Sequence, residues 1–196
     1  MTPYNYGLPE LQHFSHYAYF KNVFHPTELD AINQLWNEKK SAKAEIYGMD
    51  SENPDDYRKS KVTFLDYNIT NKWIFDKIAR LAAQINSERY HFDIVGIYES
   101  LQLAEYSEGD FFDWHLDFGN GFSSKRKLSL SIQLSDSDEY EGGDLQFLLG
   151  GSKTENAPRE KGSVIVFPSF ILHRVTKITS GKRKSIVGWI SGRPYR

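Results

Sequence analysis

Three side chains in the carboxyl-terminal half of this 196-residue chain are of types that bind divalent metals. His115 and Asp117 lie two positions apart in a run typical of a strand, so both side chains point to the same face. His173 follows much later, after an apolar run and a turn. Two imidazoles and one carboxylate are the donor set of a facial triad, which leaves positions on Fe(II) open for a chelating ligand and O2. The alternatives are a polar pair on a solvated strand face and a hydrogen-bonded core histidine.

A guanidinium and a hydroxyl group follow the last of these residues, at the start of another predicted strand. Arg183 and Ser185 share one face of that strand with Val187 and Trp189, because side chains alternate along a strand. Such a pair can bind a carboxylate through a forked, charge-assisted contact. The alternative is an exposed basic turn, since glycine and lysine precede Arg183.

Two more predicted strands carry polar residues on a single face. Such faces are unexpected in a core unless they line a wet cavity, because buried polar groups need hydrogen-bond partners. Arg126 lies just before one of these strands and could either bind substrate or pair with nearby aspartates. The residues on the two faces are Gln102, Ala104 and Tyr106, and then Ser129, Ser131 and Gln133. The histidines outside the pattern, expected to be surface or structural residues, are His13, His16, His25 and His91.

The elements that must position these residues are short strands. From residue 93 onward, β-forming runs alternate with glycine, serine and aspartate, and no convincing helix interrupts them. Edge strands carry unpaired backbone groups, so many short strands in one segment favour a closed antiparallel architecture. We therefore predict a mainly β fold with flanking helices (α+β), a double-stranded β-helix or jelly roll. The predicted strands are 96–106, 111–117, 127–134, 144–149, 163–167, 171–178 and 183–191.

Two amphipathic helices are predicted before the strands. One begins near Pro26, which suits a first helical turn, and the other begins at Asn71, a good N-cap. The polar segments 47–61 and 118–125 are predicted loops that could shape access to a site. The apolar positions at helical spacing are Leu29, Ile32, Leu35 and Trp36 in the first helix, and Ile74, Ile78, Leu81, Ala82 and Ile85 in the second.

Composition limits the classes of protein that remain. The length predicts a single domain over 1–196, with helical support at about 20–90 and a jelly-roll core at about 93–192. A net charge of -2 gives no general attraction to nucleic acid. The chain has no cysteine, so a metal must use nitrogen and oxygen ligands, as suits a reducing compartment. No stretch is apolar enough to enter a membrane, and we expect a cytoplasmic protein.

Taken together, these motifs resemble those of the Fe(II)/2-oxoglutarate-dependent oxygenases, and within them the prolyl 4-hydroxylase-like, PKHD-type branch. The resemblance covers about 102–192, roughly half of the chain. In chain order the matching residues are Tyr106, Gly109, Phe112, His115, Asp117, Arg126, Gly142, Gly143, Asp144, Leu145, Lys161, Gly162, Phe167, Pro168, His173, Arg183, Ser185 and Trp189. The basic residue after the last histidine is Arg183, whereas collagen-type prolyl hydroxylases have lysine there, so collagen-like substrates are in doubt.

The resemblance implies a chemistry and a set of roles. Fe(II) would be held by His115, Asp117 and His173, and 2-oxoglutarate by Arg183, Ser185 and Tyr106. With O2, and with ascorbate as a reductant, such an enzyme hydroxylates an unactivated C–H bond.

Several alternatives stay open. The substrate could be a prolyl or other side chain of a protein or peptide, or a free amino acid or small metabolite. A cupin-like metal enzyme would give no reason for the Arg183 and Ser185 pair. A catalytically silent metal-binding jelly-roll module is an alternative of another class. Nucleic acid and membrane partners are not expected, and no oligomeric state is predicted.

Overall fold

The computed structural model describes residues 15–37, 42–43 and 57–195, and strands dominate this part of the chain. The helices are α1 (Pro26–Asn37) and α2 (Lys72–Ile85), with short helical turns at Asn86–Tyr90 and Gly121–Lys125. The strands are β1 (Ala18–Phe20), β2 (Ala42–Lys43), β3 (Arg58–Lys59), β4 (Lys61–Leu65), β5 (Ile94–Gly96), β6 (Leu101–Ser107), β7 (Phe111–His115), β8 (Arg126–Gln133), β9 (Tyr140–Gly142), β10 (Leu145–Leu148), β11 (Thr154–Asn156), β12 (Val164–Pro168), β13 (His173–Val175) and β14 (Ile178–Gly192). Within these ranges, neither helix combines the length and the apolar character needed to cross a bilayer.

Among the described residues the strands form two antiparallel sheets. The major sheet has the order β1-β12-β8-β14-β6-β4-β2, and β5 and β9 also pair with β14. The minor sheet has the order β11-β10-β13-β7-β3. From β6 to β14 the chain passes repeatedly between the sheets, since β7, β10 and β13 belong to the minor one. This alternation is that of a double-stranded β-helix, so the predicted fold class is confirmed.

The long strand β14 gives the major sheet two chemically different faces. It pairs with β6 on one side and β8 on the other, so that Ser185 lies opposite both Ala104 and Gln133. Ile186 belongs to the hydrophobic cluster on the outer face, whereas Arg183 and Ser185 line a cavity on the inner face. Alternation along one strand therefore separates the core from the polar interior.

Both helices cover the outer face of the major sheet. Their apolar stripes share one hydrophobic cluster with side chains of β6, β8 and β14. Full burial of each large aliphatic side chain contributes about 1.5–3 kcal/mol. Glu28 joins the helices, because it accepts the backbone N–H of His25 (2.7 Å) and lies 2.6 Å from Nζ of Lys77. The helical residues in the cluster are Leu29, Ile32, Trp36, Ile74, Phe75, Ile78, Ala82 and Ile85.

Asn71 precedes α2 but does not act as the predicted side-chain cap. The helix begins at the next residue, yet the Asn71 side chain makes no capping hydrogen bond. Its Nδ2 donates instead to the carbonyl of Asp66 (2.6 Å), and its Oδ1 accepts the backbone N–H of Asn68 (2.9 Å). The side chain thus satisfies backbone groups of the turn before the helix, which competes with capping.

Several predicted boundaries differ from the observed ones. The predicted strand 96–106 divides into β5 and β6, and 171–178 shortens to β13. Of the predicted loop 47–61, residues 47–56 lie outside the described part, and the remainder contains β3 and the start of β4. These short strands form because β7 and β6 offer them backbone groups, and those partners are distant in sequence.

We expect Gly188→Ala to destabilise the fold. A Cβ on Gly188 would lie 2.5 Å from Cδ2 of Leu101, which is fully buried, so the core would have to shift. Overpacking of this kind costs about 1–3 kcal/mol of the free energy of unfolding, which urea denaturation would measure. The matched control is Gly96→Ala in β5, where a Cβ would make an ordinary contact of 3.7 Å with Tyr98. Equal stability of the two variants would contradict this packing.

Candidate active site

The three predicted metal-binding side chains converge where β7 meets β13. His173 is the direct pairing partner of His115 in the minor sheet, and Asp117 follows β7. The backbone N–H of Asp117 donates to the carbonyl of Ser169 (3.1 Å), which holds the residue beside the strand ends. Nε2 of His173 lies 3.6 Å from Oδ2 of Asp117, and Nε2 of His115 lies 3.9 Å from Oδ1. One possible ligand atom from each residue lies within 4.8 Å of the others, so the group could hold a metal ion.

Backbone carbonyl groups orient both imidazoles. Nδ1 of His115 lies 2.7 Å from the carbonyl oxygen of Asp113, and Nδ1 of His173 lies 2.9 Å from that of Ile171. A neutral imidazole that donates through Nδ1 keeps its lone pair on Nε2. Both Nε2 atoms could therefore act as ligand atoms, and the carbonyls lie where metal-binding histidines usually have their outer hydrogen-bond partners.

The electrostatics of the triad fit a divalent cation. Burial, followed by the neighbouring His173, lowers the pKa of His115 to about 3, so this imidazole is neutral at physiological pH. Burial alone would raise the pKa of Asp117, but His173, His115 and Arg126 outweigh it and lower the pKa. Oδ2 of Asp117 is buried and has no hydrogen-bond partner within the described part of the chain. A buried carboxylate beside two imidazoles is the donor set that Fe(II) takes.

Arg183 forms the second part of the site. Its side chain is almost fully buried, with 2% exposure, and it forms no ion pair with any carboxylate of the described residues. Nη1 donates to Oγ of Ser185 (3.1 Å), and Nη2 donates to Oε1 of Gln133 (3.1 Å). The guanidinium carbon lies 5.7 Å from the ring centre of Tyr106. A buried charge without a counter-ion is costly, so this pocket favours an anionic ligand.

One cavity of about 960 Å³ connects the triad with the Arg183 pocket. Its size is at the upper end of the range for small-molecule sites. The walls come from both sheets and from the segment after β7. All six predicted site residues line it: Tyr106, His115, Asp117, His173, Arg183 and Ser185. The structure thus brings the predicted residues together, while their individual roles remain predictions.

The polar strand faces divide between the cavity and its support. Gln102 and Ser131 line the cavity, and Gln133 orients the Arg183 fork from β8. Ser129 donates to the hydroxyl of Ser169 at 3.0 Å and so supports the turn beside the triad. The remaining member, Ala104, is buried in β6 without lining the cavity, as expected for a small apolar side chain.

Arg126 pairs with a residue that the sequence pattern did not indicate. Its Nε lies 2.8 Å from Oε1 of Glu99, and its Nη2 contacts the other carboxylate oxygen. Nη1 donates to the backbone carbonyl of Asp117 (3.2 Å). The guanidinium carbon lies 3.7 Å from the ring centre of Trp189. The partner is thus a glutamate rather than an aspartate side chain, and Arg126 ties the triad to the opposite sheet.

Two cavity residues from β3 and the turn before it were also missed. The Tyr57 hydroxyl donates to the carbonyl of Trp114, and Arg58 lies over the ring of Phe112, 4.6 Å from its centre. That ring stacks on His115 with a centre-to-centre distance of 3.5 Å. In the sequence, these two residues are only a Tyr-Arg pair at the end of a polar segment. The pairing of β3 with β7 brings them to the triad.

The remaining histidines lie away from the cavity. His25 and His91 are exposed, and Nδ1 of His25 contacts the hydroxyl of Thr27 (3.0 Å) at the start of α1. His16 is half-buried near β1 and does not line the cavity, whereas His13 lies outside the described residues. For the three described histidines, this agrees with the expected surface or structural location.

The fold and the cavity define a jelly-roll domain with a candidate metal site. Residues 101–191 match the family described as the 2OG-Fe(II) oxygenase superfamily, and this segment belongs to it. The family implies Fe(II), 2-oxoglutarate and O2. The matched segment contains all six predicted site residues.

Curated relatives place this segment close to the PKHD-type hydroxylases. A PKHD-type hydroxylase of Synechococcus sp. (strain CC9605) is 39% identical over 99 residues, which is 50% of this chain and 45% of the relative. A PKHD-type hydroxylase of Prochlorococcus marinus is 30% identical over 156 residues, or 80% of this chain and 66% of the relative. The chain spans about half the length of several curated relatives that it matches.

Solved structures share the fold at low sequence identity. A prolyl-4-hydroxylase of Pseudomonas putida has a TM-score of 0.70 and 19% identity, covering 91% of this chain and 93% of that one. A prolyl hydroxylase of Trichoplax adhaerens, solved with a peptide fragment of hypoxia inducible factor, has a TM-score of 0.74 and 16% identity, covering 90% and 84%. At these identities the likeness supports the fold alone.

We expect the loss of either histidine to abolish metal binding. In the wild type, Mn(II) at about a hundredfold excess over its dissociation constant should stabilise the protein by about 2.7 kcal/mol, which thermal unfolding would detect. His115→Ala and His173→Ala should show no such stabilisation, because each removes one ligand of the triad.

The matched control is His91→Asn, which removes an exposed histidine. His91 has a left-handed backbone (φ 53), a conformation that asparagine tolerates. Stabilisation of either alanine variant by Mn(II) to the wild-type extent would remove that histidine from the ligand set.

Proposed function

We propose that this chain is an Fe(II)- and 2-oxoglutarate-dependent dioxygenase that hydroxylates an unactivated C–H bond. The observation that carries the proposal is the shared cavity, in which a triad suited to Fe(II) lies with a buried guanidinium that lacks a counter-ion. The triad alone would also suit a cupin-like enzyme or a silent metal-binding module. Neither alternative explains why Arg183 is buried without an anion.

His115, Asp117 and His173 would hold Fe(II). The bound metal supplies the oxidative chemistry: 2-oxoglutarate, O2 and R–H become succinate, CO2 and R–OH, with one oxygen atom in succinate and one in the product. The protein's part is to present the Nε2 lone pair of each imidazole to the metal, to leave part of the coordination sphere to ligands, and to limit access of water. The carbonyls of Asp113 and Ile171 serve the first of these tasks.

Arg183, Ser185 and Tyr106 would bind the distal carboxylate of 2-oxoglutarate. The Arg183 fork is oriented before the ligand arrives, because Ser185 and Gln133 each accept one of its N–H groups. Such preorganisation reduces the entropy lost on binding. The Tyr106 ring flanks the guanidinium and lines the same cavity.

A side chain of a protein or peptide, including prolyl, is the proposed primary substrate. The relatives' names as hydroxylases and the peptide in the Trichoplax adhaerens structure support this choice. The cavity is bordered by Leu116 and Phe122, which are both exposed and could contact a chain longer than a metabolite. A free amino acid or a small metabolite is the alternative within the same chemistry.

The direct test uses the protein with Fe(II), 2-oxoglutarate, O2 and ascorbate as reductant. Succinate formation measures turnover of the cosubstrate, and proline-containing peptides are examined by mass spectrometry for the gain of one oxygen atom. Succinate formation that depends on His115 and Asp117 would support the proposal. A protein that binds Fe(II) but neither binds nor consumes 2-oxoglutarate would overturn it.

We expect Arg183→Ala to weaken 2-oxoglutarate binding strongly without loss of the metal. Removing one partner of a desolvated charged contact costs roughly 2–5 kcal/mol. At about 1.4 kcal/mol per tenfold, the dissociation constant should rise roughly 30-fold to several thousandfold. Arg183→Lys should be milder, since the charge remains and only the fork is lost. Titration of 2-oxoglutarate into the Mn(II)-loaded variants measures both effects.

The control is Lys182→Ala, one residue earlier in β14. Lys182 is exposed and pairs with Glu105 (3.2 Å), so this substitution removes a neighbouring charge without touching the cavity. Equal affinity of wild type and Arg183→Ala for 2-oxoglutarate would remove the cosubstrate assignment.

A further inference from the structure

A second buried guanidinium lines the cavity from the opposite sheet. Arg58, with 8% exposure, lies in β3 at the edge of the minor sheet, where it pairs with Phe112 of β7. Arg183 reaches the same cavity from β14 in the major sheet. The two guanidinium groups therefore line different walls of the cavity, and each could bind a different ligand.

The contacts of Arg58 leave most of its hydrogen-bonding capacity unused. Its Nε donates to Oγ of Ser60 (3.0 Å), and its guanidinium carbon lies 4.6 Å from the centre of the Phe112 ring. Its terminal nitrogens donate to no described residue, and no described carboxylate pairs with it. The neighbouring Lys59 is the residue of β3 that pairs with an acid, Asp110.

The charges expected in the occupied site leave Arg58 unbalanced. The positive charges of Fe(II) and Arg183 equal in number the negative charges of Asp117 and the 2-oxoglutarate dianion. Arg126 is neutralised by Glu99. One cationic group of the cavity then remains without a counter-charge, and a single negative charge would balance it. A carboxylate carries that charge, whereas a phosphate group would add excess negative charge near Asp117.

The cavity also has room and a further donor for a second ligand. Its volume of about 960 Å³ exceeds what a molecule as small as 2-oxoglutarate fills. The indole N–H of Trp189, which lines the same cavity, is buried and has no hydrogen-bond partner among the described residues. A buried donor of this kind favours a ligand that carries acceptor atoms.

We infer that Arg58 binds a carboxylate of the primary substrate, so that the substrate is acidic. The carboxylate would belong to an aspartate or glutamate side chain of a peptide, or to a free amino acid. The inference rests on the proposed function, because it assigns 2-oxoglutarate to Arg183 and leaves Arg58 to the molecule that is oxidised.

The test measures binding of acetate, the simplest carboxylate probe, to Mn(II)-loaded protein saturated with 2-oxoglutarate. Relaxation of the acetate methyl protons by Mn(II) reports binding inside the cavity, and acetamide serves as the neutral probe of equal shape. Acetate should bind saturably to the wild type and acetamide at least about tenfold more weakly. Arg58→Gln should raise the acetate dissociation constant roughly ten- to 150-fold, as expected for a lost charge-assisted contact.

Two further variants fix the interpretation. Lys59→Gln also removes one positive charge from β3. Because the Lys59 side chain is more than half exposed and pairs with Asp110, acetate binding should equal that of wild type. Arg58→Lys keeps the charge and loses the fork, so its affinity for acetate should lie between those of wild type and Arg58→Gln. This variant also tests the inference if Arg58→Gln does not fold.

Three outcomes would overturn the inference. Acetate affinity could be the same in wild type and Arg58→Gln. Arg58→Gln could weaken 2-oxoglutarate binding as much as acetate binding, which would assign Arg58 to the cosubstrate. Arg58→Gln could instead lower the affinity for Mn(II), which would mean that it acts through Phe112 to position His115.

Failure of the proposed function gives a different result from failure of this inference. If the wild type does not bind 2-oxoglutarate in an Arg183-dependent way, the proposed function falls. If it does, but acetate binds independently of Arg58, only the inference falls. Where acetate binding depends on Arg58, competition against acetate by the N-acetyl α-amides of aspartate and glutamate, or by the two free amino acids, distinguishes a peptide side chain from a free amino acid. Failure of all of them to compete would exclude an acidic amino acid as the source of the carboxylate.

Discussion

The pairing of β14 with β6 and β8 is the constraint on which the site depends. Because these three strands are adjacent and in fixed register, their alternating side chains form an apolar outer face and a polar inner one. The outer face is covered by two helices, and its burial supplies the hydrophobic free energy that fixes the register. A shift by one residue would turn Arg183 outward and Ile186 into the cavity, so the stability of the core and the chemistry of the site are set together.

The two halves of the candidate site are incomplete in complementary ways. Just beyond β7, Asp117 has a buried oxygen without a partner in the described ranges, and the Nε2 atoms of two imidazoles lie close to this carboxylate. On the major sheet, Arg183 is buried and pairs with no carboxylate of the residues that the structure describes. A cation bound by the first and an anion bound by the second would offset both costs, and a ligand that bridges metal and guanidinium would do so most effectively. Membership of residues 101–191 in the 2OG-Fe(II) oxygenase superfamily accords with such a ligand.

Support for the site comes from two arginines that aromatic rings hold in place. Glu99 neutralises Arg126, which stacks on Trp189 and donates to the backbone of Asp117. Arg58 stacks on Phe112, and Phe112 stacks on His115. Arg58 therefore contacts the triad indirectly through the Phe112 ring, whereas Arg126 contacts the backbone carbonyl of Asp117. The difference between them is that Arg126 has an acidic partner within the described chain and Arg58 has none.

The sequence by itself determined the features that depend on local periodicity. Alternation placed Arg183 with Ser185, and helical spacing identified the buried stripes of α1 and α2, because each pattern is fixed by the geometry of one element. Only the tertiary structure decided the rest. It gave Arg126 its partner Glu99, drew the Asn71 side chain into a turn instead of a cap, and brought Arg58 to the cavity by pairing β3 with β7. These outcomes depend on contacts between residues far apart in the chain, and a local pattern carries no information about which distant partner will be nearest.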